Sequence, residues 1–416
     1  MTMSLPARIT GLQFTLPPAA TVASDKAVAA ITRLDSEHGE HLEALAGLLL
    51  RAESVASSKT EDVEASAEDF ARAFYGTKSN SSATSMVAST RALGGLITEV
   101  GGGGAITLES ILDAHRVLMA DDPGESHYAG QVRDMQNWIG GSDHSPRGAS
   151  YVPPPAETVR PYLEDLLEFA NRDDVPVLAQ AAIIHAQFES IHPFTDGNGR
   201  IGRALINAVL RRRGVTTTVV VPLASALVAK KPTYFDLLAA FREGDAGPII
   251  RAFSHAAASS AQQAVATARR LSELPAEWSD QLREATGRQP RAGSATVVIL
   301  DLLLRTPFFT AEDMKHLTNA STTAVYKAIA GLTEAEILKP LTNKKRDQVW
   351  CAAAILEELN DLGTRIAAET NTDDFWLDTQ GTVQRFLRSS WSIRSRNMVS
   401  VRQPSENAQG TAPSTE

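Results

Sequence analysis

The sequence predicts a mainly α protein: a bundle of helices interrupted by one small β-hairpin, followed by a smaller module of short helices with a β-like pair. Three observations carry this. Apolar residues recur three and four positions apart through most of the chain up to Ala285, the period of helices with one buried face. Short β-prone pieces come in only two pairs, 137–139 with 150–152 and 338–341 with 348–350. The hydrophobic fraction of 43% and charged fraction of 21% over 416 residues are those of a globular chain with room for two or three domains and a sizeable core.

From the N-terminus, residues 1–22 carry Pro6, Pro17 and Pro18 and read as extended. A helix is expected over Asp25–Ala52, with Val28, Ile31, Leu34, Leu42, Leu45, Leu48 and Leu49 as its apolar stripe. Arg51–Asp62 is polar, a helix or helix–loop in which Glu61 alone would be a solvated carboxylate. Glu68–Tyr75 continues helically, Ser79–Ser85 is a loop or a helix start, and Thr84–Glu99 places Met86, Val87, Leu93, Leu96 and Ile97 at helical spacing. Gly101–Gly104 breaks the chain; without a following Lys-Ser/Thr it reads as a turn rather than a phosphate loop. Leu108–Met119 is a short helix with Thr107 as its candidate cap.

The pieces 137–139 and 150–152 flank a Gly/Ser/Pro-rich tip and read as a hairpin. Thr158–Asn171 is a helix, and Val177–Glu189 another, with Leu178, Ala182, Ile183 and Ala186 on one face. Ile201, Leu205, Ile206, Val209 and Leu210 define the next, up to Arg213 and Gly214. Between these two helices lies the loop His192-Pro-Phe-Thr-Asp196-Gly197-Asn198-Gly199-Arg200, whose end opens the second helix. Two glycines flanking an asparagine let successive amides converge at a helix N-terminus, a seat for a phosphate. His192 can take a proton near neutral pH, and Asp196 offers hard oxygens to Mg²⁺, which binds through one or two carboxylates plus phosphates. Arg200 and Arg203 share a helix face and can reach one polyphosphate. These groups form a phosphoryl- or nucleotidyl-transfer set; a glycine-rich helix cap with surface arginines would have the same spacing.

His192-Pro-Phe-Thr-Asp-Gly-Asn-Gly-Arg-Ile-Gly-Arg203 resembles the Fic family signature, His-Pro-Phe-x-(Asp/Glu)-Gly-Asn-Gly-Arg-x-x-Arg, at every specified position. The resemblance implies a Fic-type helical bundle that transfers AMP from ATP to a hydroxyl side chain of a target protein. By motif position it implies His192 as general base, Asp196 as Mg²⁺ ligand, Gly197, Asn198 and Gly199 as phosphate binders, and Arg200 and Arg203 as holders of the polyphosphate. Phe194 would be a buried anchor. Ser57 to Glu61 resembles the family's inhibitory helix, (Ser/Thr)-x-x-x-Glu-(Gly/Asn), with Thr60 for the usual Ile and Asp62 for Gly or Asn. Glu61 would then pair with Arg203 and compete with the anionic nucleotide for the same fork. Tyr128-Ala-Gly-Gln-Val-Arg133 and the following hairpin resemble the family's Gly-x-Val/Phe-Arg segment and flap, which implies that Trp138, Ile139, Gly140, Tyr151 and Val152 pair with an extended piece of the target.

His185 precedes His192 by two helical turns and reads as a core or supporting histidine, since no third metal ligand lies nearby. Arg211–Arg213 sits at a helix end, where cations complement the dipole. Tyr234 either lines the nucleotide pocket or belongs to the core. Pro248–Arg270 and Pro275–Ala285 read as two alanine-rich helices leaving the catalytic region, and Thr286–Gly293 as a linker. Helices over Ala295–Leu304, Thr310–Leu317 and Ser321–Ala330, then the β-like pair around Thr342–Asp347, resemble a winged helix-turn-helix, with Ser321–Ala330 as recognition helix and Lys344–Arg346 as wing. Its charges nearly balance, so protein docking or dimerisation stands beside DNA binding. Ala352–Thr370 is helical; 382–402 interleaves arginines with Phe386 and Trp391, and 403–416 reads as disordered.

The expected domains are an N-terminal helical region with the inhibitory helix (1–100), a Fic core (101–255), a connector and linker (256–293), a winged-helix-like domain (294–370) and a tail (371–416). A net charge of −9 argues against broad nucleic-acid binding and an anionic membrane surface. Cys351 alone permits neither an intramolecular disulfide nor a Cys-based zinc site, prolines interrupt any signal-peptide core, and no apolar run spans a bilayer, so the cytoplasm is expected. ATP, Mg²⁺ and a target protein with a Ser, Thr or Tyr hydroxyl are the implied ligands, and a homodimer is an implied assembly. Removal of AMP from a modified target and a nucleotide-sensing DNA-binding regulator are the rival functions.

Overall fold

The structure, a computed structural model, describes residues 3–13, 15–36, 42–76, 80–141, 145–342, 348–373 and 375–376. In chain order its helices are α1 (Pro18–Ser36), α2 (Leu42–Thr60), α3 (Ala67–Phe74), α4 (Ser81–Glu99), α5 (Leu108–Met119), α6 (Ala156–Ala170), α7 (Val177–Ile191) and α8 (Asn198–Arg212). After these come α9 (Leu223–Ala229), α10 (Lys231–Arg242), α11 (Gly247–Thr286) and α12 (Ala295–Leu302). The C-terminal elements are β1 (Phe308–Thr310), α13 (Ala311–Thr318), α14 (Thr322–Glu334), β2 (Leu338–Pro340), β3 (Val349–Ala352) and α15 (Ala353–Thr372). The fold is mainly helical, as the periodicity predicts.

The core is centred on α7, buried from Leu178 to Ile191. α6, α8, α10 and α11 pack around it, while α4 bridges α2, α5 and α8. Burial on every side explains why α7 reads as nearly continuous apolar sequence instead of a stripe. The cap signals at the other helices work as written. Asn80 Oδ1 accepts from Ala83 N at 2.7 Å, so the 79–85 stretch is a helix start from Asn80 on, with Ser79 outside the described residues, and Thr107 forms a capping box with Ser110. Around the glycine run, Gly102 and Gly103 adopt φ of 71° and 84° in a short turn.

Several elements differ from expectation. α1 already begins at Pro18, inside the stretch 1–22 that reads as extended; a proline is compatible with the first helical turn. The helix expected over Asp25–Ala52 is two, α1 and α2, with residues 37–41, outside the described set, between their ends. Asp35 closes α1: its carboxylate accepts from the amides of Thr217, Thr218 and Val219 at 2.5, 2.9 and 2.8 Å and from the Thr217 hydroxyl at 2.6 Å. That contact spans the sequence, so local pattern could not announce it. The two helices expected at 248–270 and 275–285 are one, α11, with Pro275 inside it. Rather than leaving the bundle, α11 packs against α1, α7, α9 and α15, and burial of Leu271, Leu274, Trp278 and Leu282 around the proline outweighs its lost donor. The expected β-like pair gains a third strand: β1 and β2 flank β3 antiparallel, with Phe309 opposite Trp350 and Leu338 opposite Ala352. Pro340 lies on the edge strand, where a missing donor costs least.

The C-terminal elements thus follow the order helix, strand, helix, helix, strand, strand. They lie against α2 and α3. Arg72 and Tyr75 donate to the carbonyls of Leu341 and Phe308, Lys339 pairs with Glu68 at 3.0 Å, and Arg305 with Glu43 at 3.3 Å. Lys344–Arg346, the expected wing, and residues 382–416 lie outside the described residues. Among those described, no helix is long and apolar enough to cross a membrane.

Candidate active site

The His192–Arg203 loop is built by two backbone reversals. α7 ends at His192, which adopts φ 50° and donates its amide to Phe188 O at 2.8 Å. Holding a histidine in this left-handed region costs free energy, and the surrounding contacts compensate. α8 begins after Gly197, at φ 76°, where a Cβ would crowd Leu118, Met119 and His115. Between the reversals, Phe194 is fully buried and stacked on His115 at 3.7 Å with an interplanar angle of 3°. Asn198 clamps the turn: its side chain accepts from Phe194 N and donates to Phe194 O, each at 2.8 Å. Its amide side chain is therefore committed to the loop, so what it can offer an anion is its backbone N–H. Ile201 N to Gly197 O is the first bond of α8, which leaves the amides of Asn198, Gly199 and Arg200 without helical partners.

Arg200 and Arg203 flank this helix N-terminus. Arg200 is 5% exposed and donates to Ser85 Oγ at 2.6 Å, with Asp196 Oδ2 at 3.3 Å. Arg203 is 1% exposed, and its fork is filled from α2: Nε bonds Ser57 Oγ at 2.9 Å, while Nη2 bonds Ser57 O at 2.9 Å and Glu61 Oε1 at 2.7 Å. Glu61 lies over Gly199, where any Cβ would collide with its carboxylate. Burial pushes the Glu61 carboxyl up, but Arg203, its hydrogen bond, Arg200 and His192 outweigh this and hold it below the ordinary value. Burial likewise opposes the Arg203 charge, and Glu61, Tyr234 and Glu189 overcome it. The sequence departures around Glu61 are accommodated: Thr60 is buried, bonded back to Ala56 O at 3.2 Å, and Asp62 takes φ 58°, with its carboxylate 2.6 Å from Lys231 Nζ. A left-handed position after the glutamate favours Gly or Asn, and Asp tolerates it.

His192 lies between cations. Arg133 staples the loop from outside, donating from Nε to His192 O at 2.8 Å and from Nη2 to Pro154 O at 2.6 Å, while its amide bonds Pro193 O at 2.9 Å. Burial, then Arg242 and Arg133, push the His192 imidazole down to about 3, so it is neutral at physiological pH. Its Nδ1 is buried without a hydrogen-bond partner, 3.9 Å from Glu189 Oε2. Asp196 differs in being half exposed (55%) beside the open amides. Among the described residues no group of three or more His, Cys, Asp and Glu could hold a metal alone. A single carboxylate next to a phosphate cradle nevertheless fits Mg²⁺ shared with phosphates.

Among the described residues the expected hairpin pairs through the antiparallel bridge of Ile139 with Tyr151, with Ile139 N bonded to Tyr151 O at 2.8 Å. Gly140, Gly141 and Gly148, at φ 74°, 80° and 81°, break the ladder that two strands would need. Trp138 and Val152 are half-buried next to the bridge, and Ser4 N bonds Val152 O at 2.9 Å. Tyr151 ties the segment to the site: its hydroxyl donates to Ser190 O at 2.7 Å, and the Arg242 guanidinium lies 3.8 Å over its ring. Residues 142–144 of the tip are outside the described set.

Several site residues carry no signal in the sequence. His115, from α5, bridges Gly130 N and Asp196 O at 3.0 Å each, and burial holds it neutral, pushed down to about 4. Glu189 is buried with its carboxyl pushed up to about 7 by burial, and Glu53 likewise to about 8. Tyr234 belongs to the core: it is 1% exposed, its hydroxyl 2.8 Å from Nε2 of the equally buried His185. Such long-range partners appear only once helices pack.

Residues 105–210 match the model of the Fic/DOC family. A protein adenylyltransferase, fic-1, from Caenorhabditis elegans is 31% identical over 150 residues, 35% of this chain and 26% of that protein. A protein adenylyltransferase Fic from Drosophila willistoni is 34% identical over 147 residues, 35% of this chain and 26% of that protein. The chain thus spans about a quarter of the length of these relatives. Among solved structures, a Fic family protein from Desulfovibrio desulfuricans G20 aligns with a TM-score of 0.51 at 19% identity, over 82% of this chain and 97% of that one. A Fic domain containing signaling protein from Bacteroides thetaiotaomicron aligns at 0.50 and 19% identity, over 59% of this chain and 97% of its own. The loop and the reversals that shape it lie inside the stretch 105–210 that matches the Fic/DOC family model, and the two solved structures share the fold.

Proposed function

We propose that this protein is an adenylyltransferase that moves AMP from ATP to a Ser, Thr or Tyr hydroxyl of a target protein, and that Glu61 holds it inactive. The observation that carries the reading is the seat of the Glu61 carboxylate, on Arg203 and over Gly199 at the start of α8, beside a neutral histidine. A site that binds its own chain's carboxylate in this way suits a phosphate. The relatives' names point to the same chemistry.

In the proposed reaction the target hydroxyl attacks the α-phosphorus of ATP while His192 accepts its proton. The new P–O bond forms as the bond to the β-phosphate oxygen breaks, pyrophosphate leaves with the electron pair, and AMP stays on the target. Neutral His192 has its lone pair available, and the negative charge of a bound nucleotide raises its basicity. Arg200, Arg203 and the amides of Asn198, Gly199 and Arg200 would hold the phosphates, with Gly197 giving the turn that aims them. Asp196 would hold Mg²⁺, which when bound neutralises phosphate charge. The segment around Trp138, Ile139, Gly140, Tyr151 and Val152 would align the target by strand addition.

Label transfer from α-³²P-ATP with Mg²⁺ into lysate tests the reading, with wild type, Glu61→Gly and Glu61→Gly/His192→Ala side by side. We expect label on a discrete band with Glu61→Gly alone, and its loss in the double variant by about 10²–10⁴-fold, the usual worth of a general base. Equal labelling by wild type and Glu61→Gly would remove the inhibitory role, and no label in any lane would favour AMP removal.

In the same reading residues 294–370 are a winged-helix-like module that docks protein rather than DNA. Lys327 is the sole cation in α14, and Tyr326 beside it is exposed. The lone cysteine, Cys351, is buried with its thiol pushed up to about 12 by burial, in keeping with a reducing cytoplasm.

A further inference from the structure

Glu189 has no place in the reaction as written, yet it is buried against it. It lies one turn before His192 on α7, 6% exposed, with Oε2 3.9 Å from His192 Nδ1. Its Oε1 and His192 Nδ1 are both buried without a hydrogen bond of ordinary geometry, although the main-chain carbonyl of Glu189 also lies close to the His192 ring. Oε2 is the oxygen that faces Nδ1, while Oε1 lies toward Gly202; buried polar atoms left without partners are costly, and a turn of the carboxyl would satisfy Nδ1. The carboxyl is confined as well. A Cβ at Gly202 would stand 2.8 Å from Glu189 Oε1, so a glycine in α8 leaves the space this group occupies. Hydrogen bonds around a catalytic histidine are often long in the unliganded state and tighten with substrate, and a small rotation of the Glu189 carboxyl closes this gap.

We propose that Glu189 is the positioning residue for His192: its carboxylate accepts a hydrogen bond from Nδ1–H, which keeps the proton on Nδ1 and leaves Nε2 as the unprotonated nitrogen that takes the proton from the target hydroxyl. This rests on His192 being the base. Which imidazole nitrogen carries the proton is set by the partner of the other, and Nδ1 is the nitrogen turned into the protein. The charged and titratable groups facing Glu189 are Arg203 from α8, Arg242 and Tyr234 from α10, Glu61 beyond α2, and His185 and His192 on its own side. His192 is faced in addition by Arg133. Burial raises the Glu189 carboxyl most, Arg203 and Arg242 oppose it, and Glu61 adds to it. Protonated, the carboxyl cannot accept from Nδ1; ionised, it can. Activity therefore rises with pH through the ionisation of Glu189, and removing the Glu61 charge moves that rise to lower pH.

Two measurements on the full chain test this. The first is the His192 tautomer by ¹⁵N chemical shift at pH 8.5, with His192→Ala identifying the signal. We expect Nδ1–H in wild type and its loss in Glu189→Leu. The second is the pH profile of AMP transfer in the Glu61→Gly background. Adding Glu189→Leu should lower kcat by about ten- to a hundredfold, as loss of a histidine's supporting partner does, with KM for ATP unchanged. Adding Glu189→Gln, which keeps the shape, should abolish the acid limb of the profile. An Nε2–H tautomer in wild type, or an unaltered profile with Glu189→Gln, overturns the proposal. A Glu61→Gly chain that transfers no AMP overturns the functional reading instead, and the tautomer still decides the role of Glu189.

Discussion

At the scale of single residues, the site is held in shape by polar groups that lie deep in apolar surroundings. Glu53 illustrates the cost. It is 1% exposed on α2, with Oε2 accepting Ala224 N at 2.8 Å and Oε1 unpartnered. Burial pushes its carboxyl up to about 8, against the pull of that amide and of Arg203. The folded chain therefore holds a proton between the ordinary carboxyl value and pH 8 that the unfolded chain has released. In this window the unfolded state binds fewer protons, so stability falls as pH rises and levels off above about 8. Glu53→Gln keeps an acceptor for Ala224 and cannot ionise. Its melting temperature relative to wild type is expected to climb between pH 4.5 and 8, with a gain on the order of a few kcal/mol at the upper end. A pH-independent difference would refute this. Glu61 has the opposite sign: its depressed carboxyl contributes stability above the ordinary value and loses it as pH falls, so its hold on Arg203 is complete at neutral pH.

Among the elements, α2 carries the most varied duties. One face packs on α4 and α9, its C-terminal turn delivers Ser57 and Glu61 to Arg203, and α15 lies against it. Before it, at the end of α1, Asp35 satisfies three backbone amides and a hydroxyl of the 217–219 segment. Asp35→Ala would strand the buried Val219 amide, at about 1–3 kcal/mol, while the exposed Thr217 and Thr218 amides turn to water. We expect a lower urea midpoint with an unchanged slope and an intermediate value for Asp35→Asn; no shift with Asp35→Ala would mean that water replaces the carboxylate. α11 teaches a different lesson. Pro275 favours two helices locally, but Leu271, Leu274, Trp278 and Leu282 on either side of it are buried and the helix continues.

For the whole molecule, the C-terminal module is joined to the same α2–α3 region that serves the active site. Arg72, Tyr75, Glu68 and Glu43 contribute the polar contacts, and Ala71 packs in a cluster with Phe308, Leu341, Val349 and Cys351. Charge argues against DNA as the module's partner, because affinity for a duplex rests mainly on phosphate neutralisation. A gel shift with genomic fragments, titrated in salt, should show no specific complex. A complex whose affinity falls steeply with salt would reverse that assignment and favour the regulator reading.

Read along the chain, the helical class, the central loop and its twelve-residue spacing from His192 to Arg203, and the Ser57–Glu61 segment were all legible, because each depends on local period, local caps or contiguous residues. The pairing of Glu61 with Arg203 was legible only through the family resemblance. The break between α1 and α2, the continuity of α11, the strand β1, and the places of His115, Glu189 and Glu53 were decided by tertiary structure. Each of these turns on a partner far away in sequence or on burial, and burial sets both the protonation of the carboxyls and the neutrality of His192. A carboxylate has the same letters in water as in the core; only packing determines which charge it carries.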